Sequence, residues 1–312
     1  MTILITRHDK IGDFITALPM CKVLKEQTNH KIVMLVAKVN VALAQKMEFI
    51  DEVIEYSEDS FTLLSRINKV KPDVSISGYI DNHLGLCLFL ARVPLRFAPA
   101  TKLAQIFFNR TIKQRRSKVE KREWEYNLDL LKMFDKNLKL EFKRPLLEIQ
   151  NSKFKIQNFI IFHVGFGGSS DGNISLDEYL RLATIASQKA EVVFTFGPDD
   201  LEVKKQLQFK IQNSKFNITI RDDFASLWDF TVFIATAKLF ISTSTGPMHL
   251  AGLTNTTTLS FFGSNLFASS KRWGTISDER CQNNFEIPLG YGEDFLKSVE
   301  KRMMEIITPS HN

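Results

Sequence analysis

The sequence contains few cysteine, tyrosine and tryptophan residues: 3, 5 and 3 of its 312. Its cysteines, Cys21, Cys87 and Cys281, are widely separated and odd in number. This pattern predicts reduced thiols in a cytosolic protein, and no cysteine pair has the spacing of metal ligands. No run approaches the roughly 18 to 20 apolar residues that span a bilayer. The N-terminal run Met1–Thr6 is too short for the core of a signal peptide, so we expect a strand there.

Positive charge is concentrated in one segment, residues 110–122, which we call the basic segment. It holds seven basic residues and one acid, whereas the whole chain holds 41 and 35. The remaining residues are therefore balanced, with 34 of each sign. One interpretation is a solvated loop or helix face. The other is a surface for an acidic substrate, lipid headgroups or nucleic acid, with nucleic acid least favoured because no aromatic residues are interleaved with the basic ones for base stacking.

Short β-type runs alternate with helical patterns through both halves of the chain. The runs are apolar along their length, which indicates strands buried on both faces, as in a parallel sheet. The pattern starts again at Phe159. We therefore predict two Rossmann-like, doubly wound α/β domains, residues 1–150 and 151–312, facing one another across a cleft. The last predicted helix, Glu293–Ile307, could pack back on the N-terminal domain. Asp199 is a candidate N-terminal cap for the predicted helix Leu201–Gln208.

The first candidate site motif follows the opening strand and occupies residues 7–13, Arg-His-Asp-Lys-Ile-Gly-Asp. Ligands of open α/β sheets bind beyond the C-terminal ends of strands, and Gly12 would let a ligand approach closely. Pro19 suits the first turn of a helix better than its middle. We therefore predict a helix over Ile15–Glu26 that leaves Asp13 on an entry turn, as an ionised base. The alternative is that Asp13 only caps the helix.

The second candidate motif follows a predicted strand near the C-terminus and predicts an anion site. Two hydroxyl residues precede Gly246, and Pro247 stands at a plausible first helical position. Amide groups and the positive end of the helix dipole would then face a diphosphate. His249 lies one turn into this helix and either faces the same anion or has a structural role. The candidate donor-binding residues here are Ser244, Thr245, Gly246, Met248 and His249.

A glycine-rich loop forms the third candidate element, over residues 163–170. It lacks the G-x-G-x-x-G spacing of a dinucleotide fingerprint, and no acidic residue follows the next strand at the required place. We interpret this loop as the opposite side of the same nucleotide pocket. Its candidate donor-binding residues are Gly165, Gly167, Gly168, Ser169 and Ser170.

These motifs together resemble glycosyltransferase family 9, the heptosyltransferases that build the inner core of lipopolysaccharide. Residues 7–13, followed by Leu18-Pro19 and Leu24-Lys25, are similar to the N-terminal signature of that family. The C-terminal signature is matched by residues 242–251, 257–263 and 272–274, and intermediate segments by residues 125–131 and 163–170. The resemblance covers nearly the whole chain.

The resemblance implies a GT-B fold and an inverting transferase that uses neither a metal nor a cofactor. The implied donor is ADP-heptose, and the implied acceptor is an anionic, lipid-linked core oligosaccharide at the cytoplasmic face of the inner membrane. Asp13 matches the catalytic base, and the Ser244–His249 turn matches the donor-nucleotide site. Lys10 and Gly12 are further donor-side candidates, with Lys10 supplying the charge that a metal would otherwise supply. The candidate acceptor contacts are Arg7, Arg115 and Arg116.

Two departures from the family pattern keep other functions open. Many members have Asp where this chain has Ser244, and many have a Lys followed by Trp-Pro where this chain has residues 171–175, Asp-Gly-Asn-Ile-Ser. One alternative is a GT-B transferase that uses another nucleotide sugar for a surface glycan. The other is a nucleotide-binding α/β protein without catalytic activity.

Overall fold

The computed structural model describes residues 1–149, 155–165, 172–212 and 218–308. The chain divides into two compact units, Met1–Leu146 and Leu147–Asn312. Each unit contains one six-stranded parallel sheet with helices between successive strands. Within the described ranges, every helix is too short or too polar to span a bilayer.

The N-terminal unit has the strand order β3-β2-β1-β4-β5-β6. The central strands β1 and β2 are buried along almost their whole length, as their apolar runs predict. The strands are β1 (Thr2–Arg7), β2 (Lys31–Val36), β3 (Glu52–Glu55), β4 (Val74–Ser77), β5 (Leu95–Pro99) and β6 (Arg110–Ile112). The helices are α1 (Ile11–Gln27), α2 (Val41–Ala44), α3 (Ser60–Val70), α4 (Asn82–Leu90) and α5 (Glu123–Phe134).

The C-terminal unit repeats this topology with the order β9-β8-β7-β10-β11-β12. Its strands are β7 (Phe159–His163), β8 (Glu191–Thr195), β9 (Ile218–Ile220), β10 (Leu239–Thr243), β11 (Thr258–Phe262) and β12 (Gln282–Glu286). Its helices are α6 (Leu176–Ala186), α7 (Leu201–Ile211), α8 (Leu227–Thr236), α9 (Gly246–Leu253), α10 (Ser270–Trp273) and α11 (Glu293–Ile307). Short 3₁₀ helices occur at Lys38–Asn40, Leu103–Phe107, Arg116–Lys118, Leu266–Ala268 and Glu279–Cys281.

The direction of winding reverses once in each sheet, between β1 and β4 and between β7 and β10. Thr6 pairs with Ser77 in the first sheet, and Ser242 pairs with His163 in the second. Doubly wound sheets bind ligands at such reversals, beyond the carboxyl ends of the strands. All three sequence motifs follow strands that flank a reversal, which confirms the predicted doubly wound α/β class.

The first helix differs from the sequence prediction. α1 begins at Ile11, where the Phe14 amide donates to the Lys10 carbonyl at 3.0 Å. Pro19 therefore lies inside the helix, and Asp13 belongs to the first turn, so the predicted entry turn was wrong. Nearly every residue from Phe14 to Leu24 is buried, and this packing outweighs the helix bond that proline removes.

Three smaller differences concern caps and edges. The residue that precedes α7 is Asp200, whereas the sequence suggested Asp199 as its cap. Strands β6 and β12 were not predicted, because their sequences, RTI and QNNFE, contain few apolar residues. They are edge strands, which need less burial than central ones. The basic segment therefore begins with an edge strand, Arg110–Ile112, and does not consist of a loop alone.

The last helix packs within its own unit. Leu296, Val299 and Met303 of α11 belong to the same buried core as the apolar residues of α6. On the surface, the Arg181 guanidinium contacts Glu293 at 2.6 Å and Glu300 at 2.5 Å. Packing on the N-terminal domain was one possibility from the sequence, whereas the apolar face of this helix is buried in the C-terminal unit.

Replacing Met303 by Ala should lower the stability of the C-terminal unit by about 2–5 kcal/mol, because a fully buried side chain leaves a cavity. The melting temperature should fall by about 5 °C or more. Hydrogen exchange should accelerate in α6 and not in α1. Lys301→Ala, at an exposed position of the same helix, is the control and should change stability by less than about 0.5 kcal/mol. Faster exchange in α1 alone would contradict the assignment of α11 to the C-terminal core.

Candidate active site

The Arg7 side chain joins the end of β1 to the start of α1. It is buried, with 3% of its surface exposed. Its Nη2 donates to Oδ1 of Asp13, and its Nε donates to Oδ1 of Asp9 at 2.8 Å. The guanidinium therefore fixes two carboxylates of the N-terminal motif at the carboxyl end of the central strand.

Neighbouring elements hold the other side of this guanidinium. Nη1 donates to the carbonyl of Gly78, just after β4, at 3.0 Å and to Oδ1 of Asn127 at 3.5 Å. Asn127 in turn donates from Nδ2 to the Thr16 carbonyl at 3.0 Å. Oε1 of Glu123 lies 3.9 Å from Nη2. The site thus depends on α1, α5 and both strands that flank the reversal.

The nearby carboxylates keep the Arg7 side chain protonated. Burial alone would lower the pKa of Arg7, but attraction by Asp13, Asp9 and Glu123 outweighs burial and raises it. Burial raises the pKa of Asp9, and the nearby Asp13 adds to this, against the attraction of Arg7. Arg7 stays charged at any physiological pH, and Asp9 is the carboxyl that protonates more readily than usual.

Asp13 is partly exposed, with 17% of its side chain accessible, as is Asp9 with 18%. Oδ1 contacts Arg7, and among the described residues none hydrogen-bonds Oδ2. Lys10, also exposed, precedes α1 without capping it through its side chain. A carboxylate held by one oxygen and accessible at the other can accept a proton from a bound hydroxyl. The contacts of Arg7 position Asp13, and the acceptor contact predicted for Arg7 stays a prediction.

A second pair lies beside the motif and was not found from the sequence. Nε2 of His8 lies 2.6 Å from Oδ2 of Asp81, and the His8 ring stacks on Tyr56 with centroids 4.2 Å apart. The Tyr56 hydroxyl reaches Nδ1 of His83 at 2.9 Å. Burial raises the pKa of Tyr56 to about 12, so its hydroxyl stays protonated. Only the three-dimensional fold brings these residues together, since His8 follows β1, Tyr56 follows β3, and Asp81 and His83 lie at the start of α4.

The two candidate arginines of the basic segment differ in their contacts and in their exposure. Arg116 contacts the buried carboxylate of Glu123 and Oε1 of Gln114, the latter at 3.0 Å from its Nε. It also lies over the Tyr126 ring at 5.5 Å. Arg115 is exposed. Arg116 is therefore part of the support of α5, and Arg115 is the member of the pair that is accessible to an anion.

The second motif forms the turn from β10 into α9. Thr243 donates from Oγ1 to the carbonyl of Gly172 and, at 3.3 Å, to that of Phe261. The Ser244 amide donates to the same Phe261 carbonyl at 2.9 Å. α9 begins at Gly246 with Pro247 in its first turn, and no side chain caps it. Such an uncapped helix start can bind an anion through its amide and dipole.

The residues of this turn differ in exposure. Ser244, Gly246 and Pro247 are partly exposed, whereas Thr245, Met248 and His249 are buried. The His249 ring lies edge-on to Trp273, with centroids 6.3 Å apart. The accessible residues of the turn are therefore Ser244, Gly246 and Pro247, whereas His249 lies beneath the surface.

Only the beginning of the glycine-rich loop, residues 163–165, lies within the described residues. Gly165, just after β7, faces the Asp200 carboxylate so closely that a Cβ atom would overlap it. Oδ2 of Asp200 also accepts the Gly197 amide at 2.7 Å. Gly165 thus allows close packing beside the reversal. The predicted donor residues Gly167, Gly168, Ser169 and Ser170 lie outside the described residues.

The described parts of the chain contain no group of three or more His, Cys, Asp or Glu residues that could hold a metal ion.

Comparison with known proteins gives the family. A family model described as glycosyltransferase family 9 (heptosyltransferase) matches residues 170–288. A Haemophilus influenzae protein, provisionally named a glycosyltransferase, is 34% identical over 332 residues, which cover 97% of this chain and 95% of that protein. The chain belongs to glycosyltransferase family 9. It is a glycosyltransferase of the heptosyltransferase-like type.

Solved structures of family 9 proteins share the fold of this transferase. E. coli heptosyltransferase II aligns with a TM-score of 0.79 at 17% identity, over 98% of both chains. E. coli heptosyltransferase WaaC with ADP aligns with a TM-score of 0.74 at 12% identity, over 98% of this chain and 100% of that one. A family 9 glycosyl transferase from Veillonella parvula gives 0.74 at 16% identity, over 99% and 90%. The predicted GT-B fold is confirmed.

Replacing Asn127 by Leu should destabilise the N-terminal unit of the transferase by about 1–3 kcal/mol, because it leaves buried polar partners on Arg7 and Thr16 unsatisfied. Thermal melting measures the loss. Asn137→Leu, at an exposed position after α5, is the matched control and should be nearly neutral. Equal melting temperatures for the two variants would contradict the support role of Asn127.

His163 should make stability depend on pH below neutrality. Burial lowers the pKa of His163 to about 4 from an ordinary 6.5, so the unfolded state takes up this proton first as the pH falls. Its contribution is complete near pH 7 and declines between about pH 6.5 and 4, by on the order of 3 kcal/mol. In His163→Gln, denaturant unfolding measured from pH 7 to pH 4 should show a correspondingly flatter decline. Parallel wild-type and variant curves would contradict this assignment.

Proposed function

We propose that this protein is an inverting, metal-independent transferase that moves heptose from ADP-heptose to the inner core of lipopolysaccharide. The observation that carries the proposal is the Asp13 carboxylate, held by Arg7 at the carboxyl end of β1 with one oxygen accessible. A base fixed in this way suits a single displacement at a sugar carbon. The E. coli relatives include heptosyltransferase II and a heptosyltransferase with bound ADP.

In the proposed reaction, an acceptor hydroxyl attacks the anomeric carbon from the face opposite the diphosphate. Asp13 takes the hydroxyl proton as the new C–O bond forms. The bond from the anomeric carbon to the phosphate oxygen breaks, and ADP leaves with the electron pair. Attack opposite to the leaving group inverts the anomeric configuration.

The leaving diphosphate needs positive potential as its charge grows. The uncapped start of α9 offers the Gly246 amide and the helix dipole, which act on a developing charge without reorganising. The hydroxyl of Ser244, partly exposed beside them, is a further donor. Lys10 would add a cation on the N-terminal unit. These groups take the part that a divalent metal has in other transferases.

Two sequence features favour a second candidate, a transferase for a surface glycan that uses another nucleotide sugar. Ser244 lacks the charge of the Asp found in many members, and residues 171–175 lack the Lys found there. Thermal melting with a panel of nucleotide sugars separates the two candidates. The true donor should raise the melting temperature most, because a ligand at about 100 times its Kd stabilises a protein by about 2.7 kcal/mol.

The proposed acceptor is anionic and lipid-linked, which would bring the protein to the cytoplasmic face of the inner membrane. Lys113, Arg115 and Lys118 of the basic segment are exposed. A guanidinium group matches the geometry of carboxylates and phosphates. We therefore propose Arg115 as an acceptor contact and the basic segment as the surface that faces the anionic lipid.

Replacing Asp13 by Asn should lower the rate of heptose transfer about 10²- to 10⁴-fold, because the amide cannot accept the proton. ADP binding, measured by calorimetry, should remain close to wild type. Asp59→Asn is the control: Asp59 caps α3 from an exposed position, and Asn is an equally good cap, so transfer should be unchanged. An Asp13→Asn variant with full activity would refute the proposed base. A wild-type protein that binds ADP and transfers no sugar would instead be a non-catalytic nucleotide-binding protein.

A further inference from the structure

Residues 82–119 contain no aspartate or glutamate, although acids make up 35 of the 312 residues in the chain. The same stretch contains eight basic residues: Arg92, Arg96, Lys102, Arg110, Lys113, Arg115, Arg116 and Lys118. It runs from the start of α4 through β5 and β6 to the 3₁₀ helix Arg116–Lys118. One continuous part of the N-terminal unit is therefore purely cationic.

Large apolar side chains are exposed within this cationic stretch. Leu86, Phe89 and Leu90 are exposed on α4, at the three- and four-residue spacing that places side chains on one face of a helix. Leu103 and Ile106 are 84% and 76% exposed on the 3₁₀ helix Leu103–Phe107, where residues three apart are aligned. Both helices direct leucine-sized groups into solvent.

These two helices are packed against each other. A Cβ atom at Gly85 of α4 would come within 2.9 Å of the Phe107 ring, and the Phe89 and Phe107 rings lie 6.4 Å apart. Arg96 donates from Nε to the Phe107 carbonyl at 2.6 Å, which ties the end of the 3₁₀ helix to β5. The exposed apolar residues of the two helices thus form one supported surface, which we call the apolar face.

A hollow adjoins the apolar face at the end of α4. Its volume is about 480 Å³, and it is lined by Phe89, Leu90, Arg92, Val93, Pro94 and Arg96. Apolar walls with two guanidinium-bearing residues match a phosphodiester attached to an acyl chain. Protein interfaces usually surround their apolar centre with a mixed polar rim, whereas the lining of this hollow has two arginines and no carboxylate. The occupant favoured by this charge pattern is an anionic phospholipid bilayer.

We propose that the apolar face inserts into the interface of an anionic membrane, with Leu103 and Ile106 entering the acyl boundary and the surrounding cations contacting the phosphates. The inference rests on the membrane contact proposed above and adds the element that makes it. Insertion of apolar side chains and attraction of cations combine in this kind of binding. Neither Leu103 nor Ile106 belongs to the proposed catalytic or donor site.

The test measures flotation of the full-length protein with vesicles of phosphatidylcholine containing phosphatidylglycerol, without any sugar substrate. The double variant Leu103→Gln/Ile106→Gln should bind at least about tenfold more weakly, because two large apolar side chains no longer enter the lipid. Phe61→Gln is the matched control, since Phe61 is 86% exposed on α3 but follows the acidic residues Glu58 and Asp59. It should bind like wild type.

A second arm tests the charge contribution. Each of Lys113→Gln and Lys118→Gln should weaken vesicle binding about fivefold, since a cation near an anionic surface contributes about 1 kcal/mol. Binding should decline with salt and should be much weaker on phosphatidylcholine alone. In Ile106→Trp, vesicles should shift the added tryptophan emission to shorter wavelength, and in Phe61→Trp they should not.

The outcomes separate this inference from the proposed function. Wild-type-like flotation of the Leu103→Gln/Ile106→Gln variant, or no blue shift in Ile106→Trp, would refute insertion of the apolar face. No binding to anionic vesicles, with capture of an acidic protein instead, would refute the lipid partner. Transfer to a delipidated, soluble acceptor should be the same in this double variant and in wild type. A wild-type protein that binds anionic vesicles as expected but transfers no sugar to the soluble acceptor would refute the proposed function and leave the membrane inference standing.

Discussion

The N-terminal site depends on one buried guanidinium. Arg7 contacts Asp13 and Asp9 and approaches Glu123, and removal of one partner from such a buried group of charges leaves the others uncompensated, at a cost of about 3–5 kcal/mol. The same contacts determine where the Asp13 carboxylate points. Stability and the geometry of the proposed base therefore depend on the same electrostatic contacts here.

The two units use one architectural principle for two kinds of chemistry. Each places its motif where the winding of the sheet reverses, beside β1 and β4 in the first unit and beside β7 and β10 in the second. In the N-terminal unit that position holds a carboxylate fixed by a cation. In the C-terminal unit it holds an uncapped helix start with a serine hydroxyl beside it. A proton acceptor and an anion site are the two requirements of displacement at a phosphate-activated sugar.

The sequence predicted the fold class and most elements, because the buried strands are long apolar runs and the turns carry glycine or proline. It placed Asp13 outside α1, since local propensity counts against Pro19 and cannot register the packing that surrounds the helix. It could not show that Arg7 is a support, because Glu123 and Asn127 lie more than 100 residues from Arg7 along the chain. Spacing along a chain reveals motifs, whereas buried ion pairs depend on tertiary contacts.

Asp13 lies on a helix, and this has a consequence for how activity can change. The backbone of α1 is enclosed by the core, so the carboxylate cannot follow a differently shaped acceptor as a loop residue would. Small shifts of a reacting group of about 1 Å can alter rates by about two orders of magnitude. If Asp13 is the proposed base, remote packing between α1 and α5 would tune turnover, and new acceptor preferences would have to evolve in the surface loops around it.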